Sequence, residues 1–215
     1  HVPLFSLDAP REVLIIGGGD GGCLEEVLKH PVDRVTMIEL DRQVVDLAQA
    51  HLGMICGAAF DDPRTELRIE DGAKFLAETN RRFDLIIIDS TDPIGPGVVL
   101  FNPEFYANCR RCLLPTGILA TQNGVPFIQA EELTASATAF KDLFKYPRFC
   151  FAAVPTYMGG VMAFGCASDS TDAGAIPLET LRARQQQLAL DLSYYSAEVH
   201  LGAFAMPPYL QALMP

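Results

Sequence analysis

Acidic side chains placed just after apolar runs are where this sequence could do chemistry. Val13-Leu14-Ile15-Ile16 leads straight into Gly17-Gly18-Gly19-Asp20-Gly21-Gly22, and the next apolar run, Arg34–Ile38, ends on Glu39. A buried strand, a glycine turn, a helix and then an acid about 20 residues on is how an open α/β sheet holds a nucleotide-like ligand. Gly17 and Gly19 let the backbone approach the ligand, and Glu39 stands where an acid accepts hydrogen bonds from ribose hydroxyls. Asp20 is the unusual member. A turn that holds S-adenosylmethionine must accommodate that ligand's own carboxylate, which Asp20 would repel. A ligand that has lost the carboxylate and kept its ammonium would be attracted instead, and decarboxylated S-adenosylmethionine has that chemistry.

Two later strand ends extend the pattern. Glu66–Ile69 is followed by Asp71-Gly72, and Asp84–Ile88 runs into Asp89-Ser90-Thr91-Asp92-Pro93-Ile94-Gly95-Pro96. Ligands of open α/β sheets bind outside the carboxyl ends of the strands, so Asp20, Glu39, Asp71 and Asp89 are expected on one rim. Asp71 can pair with an adenine amino group or cap the helix that Gly72 opens, and the two roles are compatible. An alkyl amine has a pKa of about 10 by analogy with lysine and arrives protonated. Asp89 and Asp92, in a loop stiffened by Pro93 and Pro96, can bind that cation and then accept a proton as the nitrogen attacks. The bland alternative is a turn capped by Asp and Pro. Gln122-Asn123 follows the fifth strand, Gly117–Thr121. Tyr157, in Pro155-Thr156-Tyr157, offers a hydroxyl to orient an amine or relay its proton, or is a half-buried core residue.

The elements that must position these groups alternate along the chain. Helices are expected over Gly22–Lys29, Gln43–His51, Ala73–Thr79, Pro103–Leu113 and Ala130–Leu143, between strands at Glu12–Ile16, Arg34–Ile38, Glu66–Ile69, Asp84–Ile88 and Gly117–Thr121. Near-continuous Val, Ile and Leu strands alternating with helices predict a parallel sheet covered on both faces. Arg148–Val154 and Gly160–Ala167 read as an antiparallel edge hairpin. The expected fold class is α/β, a Rossmann-like, mostly parallel sheet of the S-adenosylmethionine-methyltransferase type. A small-residue linker over Asp169–Ala175, a polar helix over Leu178–Gln187 and a tail with Tyr194-Tyr195 complete one domain spanning residues 1–215.

Composition narrows the partners. The chain carries net charge −11 with pI near 4.7, which argues against nucleic acid and suits a cationic small molecule. No apolar stretch approaches the roughly 20 residues of a membrane span, and no signal-peptide pattern opens the chain. The six cysteines make no zinc spacing; Cys109 and Cys112 share a face of a predicted helix and read as packing, and the rest fall in apolar strands or loops. Reduced cysteines point to the cytoplasm. The four histidines form no metal set, and His30 and His51 sit near helix C-termini, where the macrodipole favours a positive charge.

Together these motifs resemble spermidine synthase, the bacterial polyamine aminopropyltransferase family. The resemblance runs through Gly17–Gly22, Ile38-Glu39-Leu40-Asp41, Asp61-Asp62-Pro63-Arg64, Asp71-Gly72, Asp89–Pro96, Gln122-Asn123-Gly124-Val125 and Pro155-Thr156-Tyr157, then Tyr194-Tyr195 and Ala203–Leu210. It implies that Asp20 and Asp89 hold the donor's aminopropyl ammonium, Glu39 the ribose and Asp71 the adenine. It further implies that Asp89 is the base toward the attacking amine, Tyr157 assists, Asp92 anchors the diamine and Gln122 lines the same pocket. Putrescine would be the acceptor, spermidine and methylthioadenosine the products, with no metal or prosthetic group, in a homodimer. Two departures stand out. The family's small N-terminal β-rich domain would already have ended where this chain begins, at His1-Val2-Pro3-Leu4, and Glu25 stands where relatives carry Arg. An S-adenosylmethionine-dependent amine N-methyltransferase and a non-catalytic nucleotide-binding module remain as alternatives on the same fold.

Overall fold

The computed structural model describes residues 1–215. Its strands are β1 (Glu12–Gly17), β2 (Arg34–Glu39), β3 (Thr65–Ile69), β4 (Phe83–Asp89), β5 (Leu113–Gln122), β6 (Tyr146–Ala153) and β7 (Val161–Ser168). They form one sheet in the order β3-β2-β1-β4-β5-β7-β6. The first five are mutually parallel, and β7 pairs antiparallel with both β5 and β6, as the edge-hairpin expectation required. The strand order reverses between β1 and β4, where Gly17 lies opposite Asp89. That reversal opens the crevice in which such sheets take their ligands.

Ten helices accompany the sheet: α1 (Val2–Ser6), α2 (Gly22–Leu28), α3 (Arg42–His51), α4 (Gly53–Cys56) and α5 (Gly72–Glu78), then α6 (Pro103–Cys112), α7 (Ala130–Leu143), α8 (Leu178–Leu188), α9 (Ala197–Ala203) and α10 (Pro208–Gln211). Successive strand side chains point to opposite faces, so β1 feeds two cores. Leu14 and Ile16 pack with Phe75, Tyr106 and Phe140 beneath α5, α6 and α7. Val13 and Ile15 pack with Leu24, Val27 and Met37 beneath α2. A sheet apolar on both sides needs unbroken runs of large aliphatic residues, and that is why these strands were readable as continuous rather than alternating.

The Asp61-Asp62-Pro63-Arg64 motif has a structural task. Arg64 is paired with Asp62 at 2.8 Å and donates to the Leu28 and His30 carbonyls at 2.8 and 3.2 Å. It closes the C-terminal end of α2, whose last carbonyls have no partner within the helix. The end of the chain folds back on its start: the Phe5 and Tyr195 rings stack with centroids 4.3 Å apart, beside Leu181 and Ala197.

Three expectations fail. Gly95 and Pro96, expected in the loop after β4, open a 3-10 helix over Gly95–Phe101. Cys23 and Cys56 lie on α2 and α4 instead of on strands or loops. His30 is not a cation at a helix end: it is 2% exposed, burial lowers its pKa to about 4, and its ring bonds the His1 ring at 3.0 Å. Desolvation outweighs the helix dipole there. Cys109 and Cys112 are fully buried in the core, as packing predicts.

Candidate active site

The glycine turn is held against the end of β4 by main chain. Gly18 N–H donates to the Asp89 carbonyl at 2.8 Å. A Cβ on Gly17 would stand 2.3 Å from that same carbonyl oxygen, so no larger residue fits without moving β4. A Cβ on Gly19 would meet Glu39 Oε2 at 2.8 Å and Val44 Cγ1 at 2.7 Å. These close approaches show how tightly Asp20, Glu39 and Asp89 gather around one turn. Gly72, at the start of α5, seats against Ile16 beneath the rim.

Three of the rim acids are already hydrogen-bonded by their own loops. Asp20 Oδ1 accepts from Gly22 N–H at 3.0 Å, and Glu39 Oε1 accepts from Asp41 N–H at 3.0 Å. Asp71 Oδ1 accepts from Ala73 and Lys74 N–H at 2.8 and 3.2 Å and so caps α5. Each keeps one oxygen free.

Asp89 differs. Its carboxylate accepts no hydrogen bond from the protein, and its pKa is raised to about 6, first by burial and then by the charges of Asp20 and Glu39. A carboxylate in this state is poised to take a proton near neutral pH. No Lys or Arg compensates it: Asp20, Glu39, Asp71, Asp89 and Asp92 are absent from every ion pair in the structure. A rim of acids without internal cations attracts cations from outside.

Asp89 and Gln122 also line a cavity of about 690 Å³ whose walls are mostly apolar, Phe151, Phe164, Tyr194 and Tyr195 among them. An aliphatic chain ending in an amine fits such a space, apolar along its length and acidic at one end. Gln122 is more committed than its sequence suggests. Its Nε2 donates to the Ser90 carbonyl at 3.2 Å and its Oε1 accepts from Gly124 N–H at 2.8 Å. Asp92 is exposed on the loop after β4, and Tyr157 is 56% exposed in the turn between β6 and β7, outside the residues that line the cavity. The sequence did not single out Glu132, near the N-terminus of α7. Burial, and then Asp92, pushes its pKa up to about 7. In sequence it reads as an ordinary first-turn helix acid, and only the fold brings it near the loop after β4. Glu25, the departure noted in the glycine-turn helix, pairs with Lys29 at 3.1 Å.

This geometry coincides with a family match. Residues 1–175 match the spermine/spermidine synthase domain. The chain is 54% identical to polyamine aminopropyltransferase 1 of Pseudomonas aeruginosa over 99% of its length and 75% of that protein's. The chain belongs to the spermine/spermidine synthase family. A Ruegeria polyamine aminopropyltransferase is 51% identical across the whole chain and 76% of its own length. Among solved structures, a spermidine synthase in complex with the transition-state analogue AdoDATO superposes with a TM-score of 0.93 at 34% identity, covering all of this chain and 72% of that one. The spermidine synthase of Thermotoga maritima gives 0.89 at 32%, covering 71% of that chain. Family membership decides between the readings left open by the sequence. This member of the spermidine synthase family is a polyamine aminopropyltransferase, and its fold is the Rossmann-like one expected.

Proposed function

We propose that the chain transfers the aminopropyl group of decarboxylated S-adenosylmethionine to putrescine, releasing spermidine and methylthioadenosine. The observation that carries this reading is Asp89: a half-buried carboxylate, free of hydrogen bonds, at the junction of the nucleoside-type turn and an apolar cavity. The donor would lie along β1 to β3, with Glu39 on the ribose, Asp71 on the adenine and Asp20 on the propyl ammonium. Gly17, Gly19 and Gly72 would give it room. The acceptor would occupy the cavity with its reacting nitrogen at Asp89. That nitrogen attacks the propyl carbon next to sulfur, the carbon–sulfur pair returns to sulfur, and Asp89 takes the proton the nitrogen loses. The sulfonium is a good leaving group, so positioning and one proton transfer account for the catalysis.

Asp92 would hold the acceptor's distal ammonium from the loop after β4. Tyr157 would assist at the nitrogen from the turn between β6 and β7. The reaction needs no prosthetic group by this route. The six unpaired cysteines fit a reducing compartment, and we place the enzyme in the cytoplasm. No helix is long and apolar enough to cross a membrane. A homodimer with small-molecule substrates and no nucleic-acid partner completes the reading, supported by the resemblance and by the acidic charge.

Methylthioadenosine release is the direct test. With putrescine, release from the decarboxylated donor but not from S-adenosylmethionine is the expected result. Equal use of both donors, or methyl transfer to the amine, would overturn the reading.

A further inference from the structure

Behind the committed amide of Gln122 lies a polar network that the reaction as described does not use. Asn123, the next residue, is fully buried. Its Oδ1 accepts from the Thr121 hydroxyl at 2.7 Å and from Gly165 N–H at 3.0 Å. Its Nδ2 donates to Ser136 Oγ at 2.9 Å, and Ser136 Oγ also bonds the Tyr106 hydroxyl at 3.1 Å. Its backbone joins the same frame, with Asn123 N–H bonded to the Ala163 carbonyl at 2.9 Å. One carboxamide thereby connects β5, β7, α7 and α6.

The placement of those partners matters. Tyr106 is in the first turn of α6, which begins where the segment following Asp89 ends. Gln122 is bonded to the carbonyl of Ser90, where that segment begins. The network and the adjoining Gln122 bond therefore touch both ends of the segment that follows Asp89 and carries Asp92. The amide fits it on both sides: two donors converge on the oxygen, and the nitrogen donates to Ser136. A leucine would leave the Thr121 hydroxyl and Gly165 N–H without this acceptor in the core and reduce Ser136 to its bond with Tyr106.

We propose that Asn123 is a positioning residue for aminopropyl transfer. Through Gln122 and Ser90 at one end and Ser136 and Tyr106 at the other, it fixes where the Asp89 carboxylate stands. The proposal rests on the reading of Asp89 as the base. It predicts an asymmetric effect, because the hydrogen bonds that set Glu39 and Asp71 come from the starts of α3 and α5, outside the network.

The test compares Asn123→Ser and the milder Ser136→Ala, which removes the acceptor of the Asn123 amide while deleting a single atom. Both are measured for kcat, for methylthioadenosine affinity by calorimetry, and for the Asp89 carboxyl titration by carbon NMR, assigned with Asp89→Asn. Loss of positioning should lower kcat about 10- to 100-fold, since small displacements of a reacting group cost that much. Methylthioadenosine affinity should stay within about twofold, because its contacts lie on the other half of the rim. The Asp89 titration should move down toward the ordinary carboxylate range as water reaches it, with Asp20, Glu39 and Cys23 still facing it. Thr121→Ser, which keeps the hydroxyl, should retain the rate that Thr121→Val loses. Unchanged kcat and unchanged titration in both network variants would overturn the proposal. So would a parallel loss of kcat, methylthioadenosine affinity and thermal stability, the signature of a merely structural role. If the parent chain fails to turn over at all, the functional reading falls, while the Asp89 titration still decides the positioning role.

Discussion

The carboxyl rim of the sheet divides into two halves built on opposite plans. Over β1 to β3 the acids Asp20, Glu39 and Asp71 are each held by backbone N–H groups two or three residues further along the chain. Over β4 the acid Asp89 is held by nothing but its own backbone, and burial raises its pKa to about 6. Backbone donors set the direction of the carboxylates of the first half before any ligand arrives. The second half leaves its carboxylate in an unfavourable state that a proton or a cation relieves. The lesson is that one edge can hold recognition and reactivity side by side by giving hydrogen bonds to one set of acids and withholding them from the other.

The largest effect that separates the halves should come from Asp89→Asn. As removal of a general base, it should lower kcat by about 10²- to 10⁴-fold. Methylthioadenosine affinity should stay within about twofold, a split that calorimetry beside steady-state kinetics would reveal. If affinity collapses together with rate, the two halves are not separable. The same variant should be more stable than the parent at neutral pH. The folded pKa of Asp89 lies above the unfolded value of about 3.9, so its ionisation costs stability as pH rises from about 4 through about 6. A shift of about two units corresponds to roughly 2 to 3 kcal/mol, which Asn would recover at pH 7 and not at pH 3.5. Denaturant melts at the two pH values check the sign. In the parent, kcat/KM for the amine should rise with pH through about 6.

Asp20→Asn probes the seam between the halves. Removing its charge should cut the preference for the decarboxylated donor over S-adenosylmethionine by about tenfold, the size of one partly solvated charge contact. Competition between the two donors measures it directly. The smallest effect is expected for Asp71→Asn. Asn caps a helix as well as Asp does, so stability should change by less than about 0.5 kcal/mol. A several-fold weaker methylthioadenosine affinity would then isolate the adenine contact from the cap. An unchanged affinity would leave Asp71 a cap alone.

Much of this arrangement was legible before any coordinates because it follows from local rules. Parallel strands separated by helices must end on one edge, so acids that follow Ile16, Ile38, Ile69 and Ile88 must share a rim. The backbone bonds to Asp20 and Asp71 are two- and three-residue contacts, which short sequence windows encode. What stayed hidden depends on distant partners. Gln122 spends its amide on Ser90, 32 positions away, and Arg64 spends its guanidinium on carbonyls 34 and 36 positions away. His30 was misjudged because its helix-end position is local while its burial against His1 and Phe5 is not. Pro96 reads as stiffening a loop, yet it stands in the first turn of the 3-10 helix, where its missing N–H costs no bond. Tyr157 lies between the two hairpin strands and is 56% exposed, and a turn's sequence carries no information about the direction in which its tip points.

The bond from Gly18 N–H to the Asp89 carbonyl has a consequence for how such an enzyme can change over generations. It joins the two halves of the rim backbone to backbone, with Gly17 too close to β4 to admit a side chain. Substitutions on either side of that seam share a contact, so their effects should be strongly non-additive. On the proposed assignment, a substitution that alters donor preference at Gly17–Asp20 should also alter acceptor handling at Asp89–Ser90. Acceptor length, on the same assignment, would be set along the cavity walls away from the seam and could vary independently.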